Sequence, residues 1–227
     1  NLYRYALEEL RSGGGPDNII DGGDISTFAF IVNQSGWFAF RTGNIEQATP
    51  AFTESLELAR QYPDPEVLYH IHGNWGYQEL LKGNIQEAEQ LTLACLANAQ
   101  ELASLWHIAI PVNVLGLIEL QRGNFTHAHQ KLKDGLQAWR PVGDLRGLIF
   151  SMLYLSTANL ALGQVEEAET LLHESNAIAI QKSDRWAQAF GLDLMGQAAL
   201  ARGQSQQARD YFSDSLKLSQ EIGDQWG

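Results

Sequence analysis

One pattern of apolar, small and polar positions returns every forty residues along most of this 227-residue chain. Its clearest part is the run Gly-Asn-Ile-Glu-Gln-Ala at 43–48, whose glycine and alanine recur four more times without an insertion or deletion. The glycines are Gly43, Gly83, Gly123, Gly163 and Gly203. A bulky apolar residue stands three positions before each glycine, and a small residue seven positions before it. Self-similarity at a fixed period of this length predicts a stack of repeated helical or strand-containing units.

The residues around each glycine predict two antiparallel helices per unit, with the glycine at the joint. Glycine enters the left-handed conformation that ends many helices without the steric cost of a Cβ atom, so a helix should end at each of these positions. The next residue is Asn44, Asn84 or Asn124 in the first three copies, and we expect its side chain to cap the new helix. Gln47 and Glu87, three residues further on, fit the second half of a capping box.

A second boundary in each unit marks the start of the other helix. It carries an aspartate or serine, which is suited to cap a helix N-terminus. These residues are Asp24, Asp64, Ser104, Asp144, Asp184 and Asp224. Counting from them gives five helix pairs, at 24–63, 64–103, 104–143, 144–183 and 184–223, and the start of a sixth at 224. We call the first helix of each pair helix A and the second helix B.

Residues 1–23 fall outside the repeat. The stretch from Leu2 to Leu10 reads as one short amphipathic helix, and the glycine-rich run at 11–17 reads as a flexible breaker. This segment would either cap the first pair or link it to an upstream domain, and we favour the link. Because the first residue is Asn1 rather than methionine, we expect the chain to be part of a longer protein.

Positions with small side chains are predicted to lie where helices A and B cross. A large side chain at a crossing would hold the two axes apart. The helix A set is Gly36, Gly76, Gly116, Ser156 and Gly196, and the helix B set is Ser55, Cys95, Gly135, Ser175 and Ser215. The sequence therefore predicts an all-α fold, a right-handed α-solenoid of about five antiparallel helix pairs.

These residues resemble the tetratricopeptide repeat, whose consensus has a small residue in helix A, Gly then Asn or Asp at the turn, and Ala soon after. Residues 24–227 carry the resemblance through the spacing of Gly36, Gly43 and Ala48 and its four echoes, although the period is forty where the common form has thirty-four. The longer form is similar to the repeats of large bacterial signal-transduction ATPases and LuxR-type activators, which implies an inducer-sensing or partner-sensing arm. HEAT repeats share the period, but the Gly-Asn turn favours tetratricopeptide packing.

Charge and composition narrow the choice of partners. Fifteen basic residues against twenty-seven acidic ones give a net charge of −12, which would repel nucleic-acid phosphates and anionic lipid. No apolar run reaches the ~20 residues of a membrane helix, and no basic stretch before an apolar run marks a secretion signal. The one cysteine, Cys95, excludes an internal disulfide and fits a reducing compartment. We therefore expect a cytoplasmic protein with neither nucleic acid nor membrane as a direct partner.

Motifs that carry chemistry are missing from the sequence. No lysine follows a glycine in a P-loop pattern, and no Gly-x-Ser-x-Gly elbow occurs. His70 with His72, and His127 with His129, stand two residues apart, where helical side chains point to different sides and cannot share a metal ion. We expect His72 to be a hydrogen-bonded core histidine and Cys95 to be an inert buried thiol. The sequence predicts no enzyme activity, no metal and no cofactor.

On a helical wheel, one face of each helix A points away from helix B. The tetratricopeptide resemblance implies that this face lies on the concave side of the array. Its residues are mostly apolar and aromatic with amide groups, and rigid aromatic side chains are common in binding hot spots. The candidate binding residues are Asn33, Trp37, Arg41, Asn74, Tyr77, Asn113 and Gln121. With Arg41 as the one cation in this set, the carboxylate clamp of chaperone-binding members is not expected.

Aromatic residues on helix A also have a simpler interpretation. Trp37 and Tyr77 would then only fill space between adjacent A helices. A separate column at the start of helix A is predicted to pack between repeats; it holds Trp106, Trp186 and Trp226 in register with Glu66 and Arg146.

The sequence thus predicts a module that binds a protein, a peptide or a small inducer, as the sensor or interaction arm of a larger signalling or transcription-regulating protein. The alternative is a passive protein–protein scaffold without a switching role. The switching role is implied by the resemblance alone. Because the array stops just after 223–224 with an apolar pair uncovered, we also expect end-to-end self-association or further repeats in the parent protein.

Overall fold

The computed structural model describes residues 22–222, and within them it contains ten α-helices and no strand. The helices are α1 Gly22–Arg41, α2 Ile45–Gln61, α3 Pro65–Leu81, α4 Ile85–Glu101, α5 Leu105–Gln121, α6 Phe125–Val142, α7 Leu145–Ala161, α8 Val165–Gln181, α9 Arg185–Ala201 and α10 Ser205–Ile222. The all-α prediction is confirmed. The predicted helix near the N-terminus and the start of a sixth unit at 224 lie outside the described residues. None of these ten helices combines the length and hydropathy that crossing a bilayer requires.

Two compact units, Asn1–Pro111 and Val112–Gly227, divide the chain, with the boundary inside α5. In the first unit α1 packs against α2 and α3 against α4, and the two A helices, α1 and α3, pack against each other. In the second unit α7 packs against α8 and α9 against α10, and the A helices α7 and α9 again pack against each other. Each unit therefore brings the surfaces of two successive A helices together.

The repeat glycines end the A helices as predicted. Gly83 has a φ of 81°, in the left-handed region, and Gly43, Gly123, Gly163 and Gly203 have φ between 73° and 80°. The N–H of Gly83 donates to Leu80 O at 3.0 Å and the N–H of Asn84 donates to Glu79 O at 2.9 Å, which is the Schellman pattern. The equivalent two bonds close the other four turns, so the same backbone hydrogen-bond pattern ends all five A helices.

The asparagines after these glycines do not cap the next helix, so that prediction is wrong. No side-chain cap bond forms at Asn44, Asn84 or Asn124. Their backbone has ψ near 60°, short of the extended conformation in which a cap side chain reaches the next amides. At Asn84 and Asn124 the side-chain amide donates backwards instead, to the carboxylates of Glu79 and Glu119. A charged acceptor makes the stronger bond, and it ties the turn to the preceding helix.

The aspartates at the second boundary do cap helices. Asp64 Oδ1 accepts from the N–H of Glu66 at 2.9 Å, and Asp144 Oδ1 accepts from the N–H of Arg146 at 2.9 Å. Asp184 caps α9 in the same way. Each carboxylate satisfies amides that have no partner within the helix.

Asp24 does not flank α1 as the predicted cap would. Helix α1 begins at Gly22, so Asp24 lies inside its first turn rather than before it. A capping residue flanks the first helical turn from outside, so Asp24 cannot fill that role for α1.

Small residues lie at the helix crossings, as predicted. A Cβ atom added to Gly36 would lie 2.9 Å from Ala51 Cβ, and one added to Gly76 would lie 3.1 Å from Thr92 Oγ1. Both distances are tighter than ordinary van der Waals contact. In the helix B set, Cys95 is buried against helix A.

Buried side chains of both helices fill the space inside each pair. In the first unit Phe28 of helix A and Leu58 of helix B belong to one buried cluster, and in the second Ile149 of helix A and Leu172 of helix B belong to another. Burying one such side chain contributes about 1.5–3 kcal/mol. The core therefore sits between helices A and B and leaves the outer face of helix A for other contacts.

Candidate functional site

Asn33 and Asn74 join the neighbouring A helices of the first unit. Asn74 Nδ2 donates to Asn33 Oδ1 at 2.7 Å. Asn33 is fully buried because α3 packs over that side of α1, so this residue does not line an open face as the sequence suggested. Asn74 is half-buried, and one bond leaves its carbonyl oxygen and a second N–H for other partners. Asn33 is a support, and Asn74 is the amide at the surface.

Trp37 and Tyr77 lie further along the same two helices as an edge-to-face pair. Their ring centroids are 6.1 Å apart, and both side chains are half-buried. The ring centroids of Trp37 and Phe40 are 5.8 Å apart, and Trp37 packs against the buried cluster that contains Phe52. The rings therefore fill space between helices and also present part of their surface. Arg41, the last residue of α1, is exposed.

A buried polar pair, Gln78 and Glu79, follows Tyr77 and was not selected from the sequence. Glu79 is 2% exposed and binds Lys82 Nζ at 2.7 Å. Burial raises the pKa of Glu79, but hydrogen bonds from Asn84 and Lys82 outweigh it, and the pKa is lowered. Gln78 Nε2 donates to Thr49 Oγ1 at 2.9 Å. These bonds fasten α3 to its turn and to α2, so they serve the fold.

The second unit holds the remaining two candidates, which behave differently from each other. Asn113 is 7% exposed and donates to Ser151 Oγ, and a Cβ atom at Gly135 would overlap its Oδ1. Like Asn33, it is a buried support where the sequence suggested a surface residue. Gln121 is exposed at the end of α5.

Four aromatic side chains on α7 and α9 form a connected surface that the sequence analysis did not select. The ring centroids of Phe150 and Trp186, and of Trp186 and Phe190, are 5.4 Å apart. The ring centroid of Tyr154 lies 6.1 Å from that of Phe150 and 6.2 Å from that of Phe190. We call Phe150, Tyr154, Trp186 and Phe190 the aromatic patch. The signal for it was present: each helix carries two aromatic residues four positions apart, which share one helical face.

Trp186 contacts the neighbouring helix A, as predicted for its column, but it remains 38% exposed. The guanidinium carbon of Arg146 lies 5.6 Å from the Phe150 ring centroid, within reach of a cation–π interaction. The aromatic patch therefore has a cation at one end.

His72 and His70 of the first unit both contact neighbouring side chains. His72 Nδ1 lies 3.0 Å from Asn98 Nδ2, which fits the predicted hydrogen-bonded histidine. Burial lowers the pKa of His72, and the charge of Arg60 lowers it further. Burial also lowers the pKa of His70, against the opposing effect of Glu66. Within residues 22–222, no three metal-ligating side chains converge on one point.

Cys95 is also a packing residue. It is 1% exposed, and its Sγ donates to Tyr69 O at 3.4 Å. Burial raises the pKa of the thiol to about 12, so it stays protonated and unreactive near neutral pH.

No protein-family model matches this chain, and a search of curated proteins finds no match. Solved structures do match. BtubC from P. vanneervenii is 15% identical, with 99% of this chain and 91% of that one covered and a TM-score of 0.76. At this level of identity the likeness concerns the fold.

Two further solved structures carry the same fold inside longer chains. One is a signal-transduction ATPase with numerous domains and a tetratricopeptide repeat sensor, from Pyrococcus horikoshii: 14% identity, 97% of this chain, 33% of that chain, TM-score 0.74. The other is a Rap protein complexed with Competence and Sporulation Factor: 13% identity, 96% of this chain, 58% of that chain, TM-score 0.73. The present chain thus spans about a third of the first protein and over half of the second. Its fold is that of a tetratricopeptide-like repeat protein, as the resemblance implied.

Proposed function

We propose that this chain is a protein- or peptide-binding module that recognises its partner through its A helices, as the sensor or interaction arm of a larger signalling or transcription-regulating protein. Two proteins with the same fold support the proposal, since one carries a tetratricopeptide repeat sensor and the other is complexed with Competence and Sporulation Factor. We expect the chain to have no catalytic activity of its own.

The observation that carries the proposal is the surface shared by α1 and α3. Trp37, Arg41, Asn74 and Tyr77 all have accessible side chains, and the bond between Asn74 and buried Asn33 fixes one helix against the other. A surface that is already ordered loses less entropy when a ligand binds. The rings of Trp37 and Tyr77 contact each other, which restricts both side chains before any partner arrives.

The chemistry of these four side chains suits a peptide. The two rings offer apolar area for a partner side chain, and the Asn74 amide offers a donor and an acceptor that match a peptide backbone. Arg41 offers a charge for a carboxylate at the end of α1. A sensor role requires that the partner bind one arrangement of the A helices better than another and so shift their populations.

Selection of a random peptide library on the immobilised chain, followed by calorimetric titration of the selected peptides, tests this proposal. Trp37→Ala and Asn74→Ala should each weaken binding by about tenfold or more, as truncation of hot-spot residues does. The matched control is Phe38→Ala, because Phe38 is 45% exposed on the same helix but outside the site. Selected peptides that bind both variants as tightly as the wild type would rule this surface out.

Small-angle scattering with and without the selected peptide separates the sensor from the passive scaffold. A sensor should change shape on saturation, and a small inducer that competes with the peptide should quench Trp37 fluorescence. Identical scattering curves and no response to small molecules would favour the scaffold.

A further inference from the structure

Rings from three A helices surround His70 in the first unit. The ring centroid of His70 lies 5.3 Å from that of Phe30 on α1 and 5.2 Å from that of Tyr69 on α3. The ring centroid of His107 on α5 lies 4.7 Å from that of Tyr69. We call Phe30, Tyr69, His70 and His107 the ring cluster. Each of these contacts is edge-to-face, an arrangement in which a neutral imidazole packs like any other aromatic ring.

The groups around His70 favour its neutral form at pH 7. Burial lowers the pKa of His70 most, and His107 lowers it further, against the opposing effect of Glu66. From α1 the uncharged ring of Phe30 faces His70. Burial raises the pKa of Tyr69 well above its usual value, so its hydroxyl stays protonated. A proton added to His70 therefore places a charge among neutral rings.

Two further titratable side chains of this unit contact other atoms. His72 Nδ1 lies 3.0 Å from Asn98 Nδ2 of α4, and residues two apart on a helix point to different sides. Cys95 Sγ donates to the backbone oxygen of Tyr69, and its thiol stays protonated near neutral pH. Acidification from pH 7 thus acts on the ring cluster through its imidazoles.

Glu66 offers a charged His70 a second position. It lies in the first turn of α3, four residues before His70, and its side chain is exposed. A carboxylate four residues before a cation is a favourable pair on a helix. The neutral imidazole is favoured in the ring cluster, because burial penalises only the charged form. The imidazolium is favoured at the surface beside Glu66, where water and the carboxylate both stabilise it.

His70 also lies in line with the surface proposed for binding. It stands four residues before Asn74 and seven before Tyr77, and these spacings share one face of a helix. Phe30 stands seven residues before Trp37 on α1 in the same way. The contact between Phe30 and His70 therefore joins α1 to α3 on the side that carries the binding residues. Loss of that contact would loosen the two helices there.

We propose that acidification moves His70 out of the ring cluster towards Glu66, loosens the surface shared by α1 and α3, and so releases a bound peptide. The chemical change is the uptake of one proton from water by the imidazole, and the reverse step returns it. The movement of His70 depends on the ring cluster alone, whereas the release of the peptide rests on the proposed function of this surface. Histidine suits such a switch because its charge changes between about pH 5 and 8.

Proton nuclear magnetic resonance of the whole chain at pH 7 and pH 5 tests the movement without any peptide. At pH 7 the ring protons of His70 and Phe30 should show a nuclear Overhauser contact, because their centroids are 5.3 Å apart. At pH 5 the His70 ring should be protonated, its contact with Phe30 should be lost, and a contact with Glu66 should appear. A protonated His70 that keeps its contact with Phe30 overturns the proposal, and so does a His70 that stays neutral at pH 5.

Calorimetric titration with a library-selected peptide tests the release. The peptide is blocked at both ends and free of Asp, Glu and His, so that its own charge is the same at both pH values. From pH 7 to pH 5 the wild type should lose about fivefold or more in affinity, because the apparent affinity follows the fraction of competent molecules. His70→Gln cannot gain the charge and should lose less than about twofold.

Two variants on the same helix control this experiment. His72→Gln should lose affinity like the wild type, since His72 lies outside the ring cluster. Glu66→Gln removes the partner of the imidazolium and should retain more affinity at pH 5 than the wild type. An equal loss in the wild type and His70→Gln overturns the release. If no library peptide binds at pH 7, the proposed function of the surface fails together with the release, and the resonance spectra still decide the movement of His70.

Discussion

The A helices of the two units are built on one repeat but present different surfaces. In the first unit the contact between α1 and α3 includes the buried amide bond from Asn74 to Asn33. In the second unit, α7 and α9 meet through Phe150, Trp186 and Phe190, whose rings stay partly in solvent. Repeat positions that face helix B must carry small side chains where the two helices cross. Repeat positions that face the next helix A can carry either amides or aromatic rings. The fold is therefore repeated, while the surface between successive A helices differs from one unit to the other.

The largest expected effect tests the shared part of this comparison. Phe52 and Leu172 occupy the same repeat column in the two units, and both are fully buried. Phe52→Ala should lower the free energy of unfolding by about 3–5 kcal/mol and Leu172→Ala by about 2–5 kcal/mol, because each leaves a cavity. Chemical denaturation measures both. A loss under about 1 kcal/mol in either unit would mean that the frame is not the same in both.

The next effect tests the part that differs. Asn33→Ala removes a buried acceptor and leaves the Asn74 amide without it, which should cost about 1–3 kcal/mol. Trp186→Ala removes a partly exposed ring and should cost less than Asn33→Ala. Thermal and chemical unfolding of the two variants compares them. The reverse order of stabilities would mean that the rings hold the fold and the amides do not.

A smaller effect comes from the turn that joins one pair to the next. Gly143 and Ala103 occupy the same column in the two units, with φ of 72° and 49°. A Cβ atom costs roughly 1–2 kcal/mol in this conformation, so Gly143→Ala should destabilise the protein by about 1 kcal/mol. Ala103→Gly should stabilise it by about 0.5–1 kcal/mol, once the greater freedom of glycine in the unfolded chain is deducted. Changes of the same sign in the two variants would contradict this account of the turn.

The smallest effect is a pH dependence assigned to the first unit. Burial lowers the pKa of His70 and His72 below the usual value near 6.5. Below pH 6.5 the unfolded chain binds protons that the folded chain does not, so the free energy of unfolding falls with acidification towards the folded-state pKa. His72→Gln should flatten the change between pH 7 and 5, and His173→Gln, an exposed position on α8, is the control. An unchanged slope in His72→Gln would contradict the assignment.

Much of the fold could be predicted from the sequence because its signals are local and repeated. Gly83 ends a helix because glycine takes up the left-handed conformation readily. Asp64 caps a helix by accepting from N–H groups that follow it closely in the sequence. The role of Asn84 could not be predicted this way, because its side chain could bond either the N–H groups of the next helix or the carboxylate of Glu79. It bonds Glu79.

The candidate site was predicted less well because burial between A helices depends on the neighbouring repeat. A single-helix wheel places Asn33 and Trp37 on one face, yet the packing of α3 covers Asn33 completely and leaves Trp37 partly accessible. The aromatic patch was missed for the complementary reason. Its residues come from two helices forty positions apart, and only their contact shows that Phe150 and Trp186 form one surface.

The claim that recognition belongs to the A helices is tested most directly by mapping backbone amide shifts with a bound peptide. The chain is 25.2 kDa, a size at which amide spectra can be assigned by nuclear magnetic resonance. Titration with a library-selected peptide should shift amides of α1 and α3. Shifts confined to the exposed B-helix faces, around Leu93 on α4 or Ile180 on α8, would contradict the account.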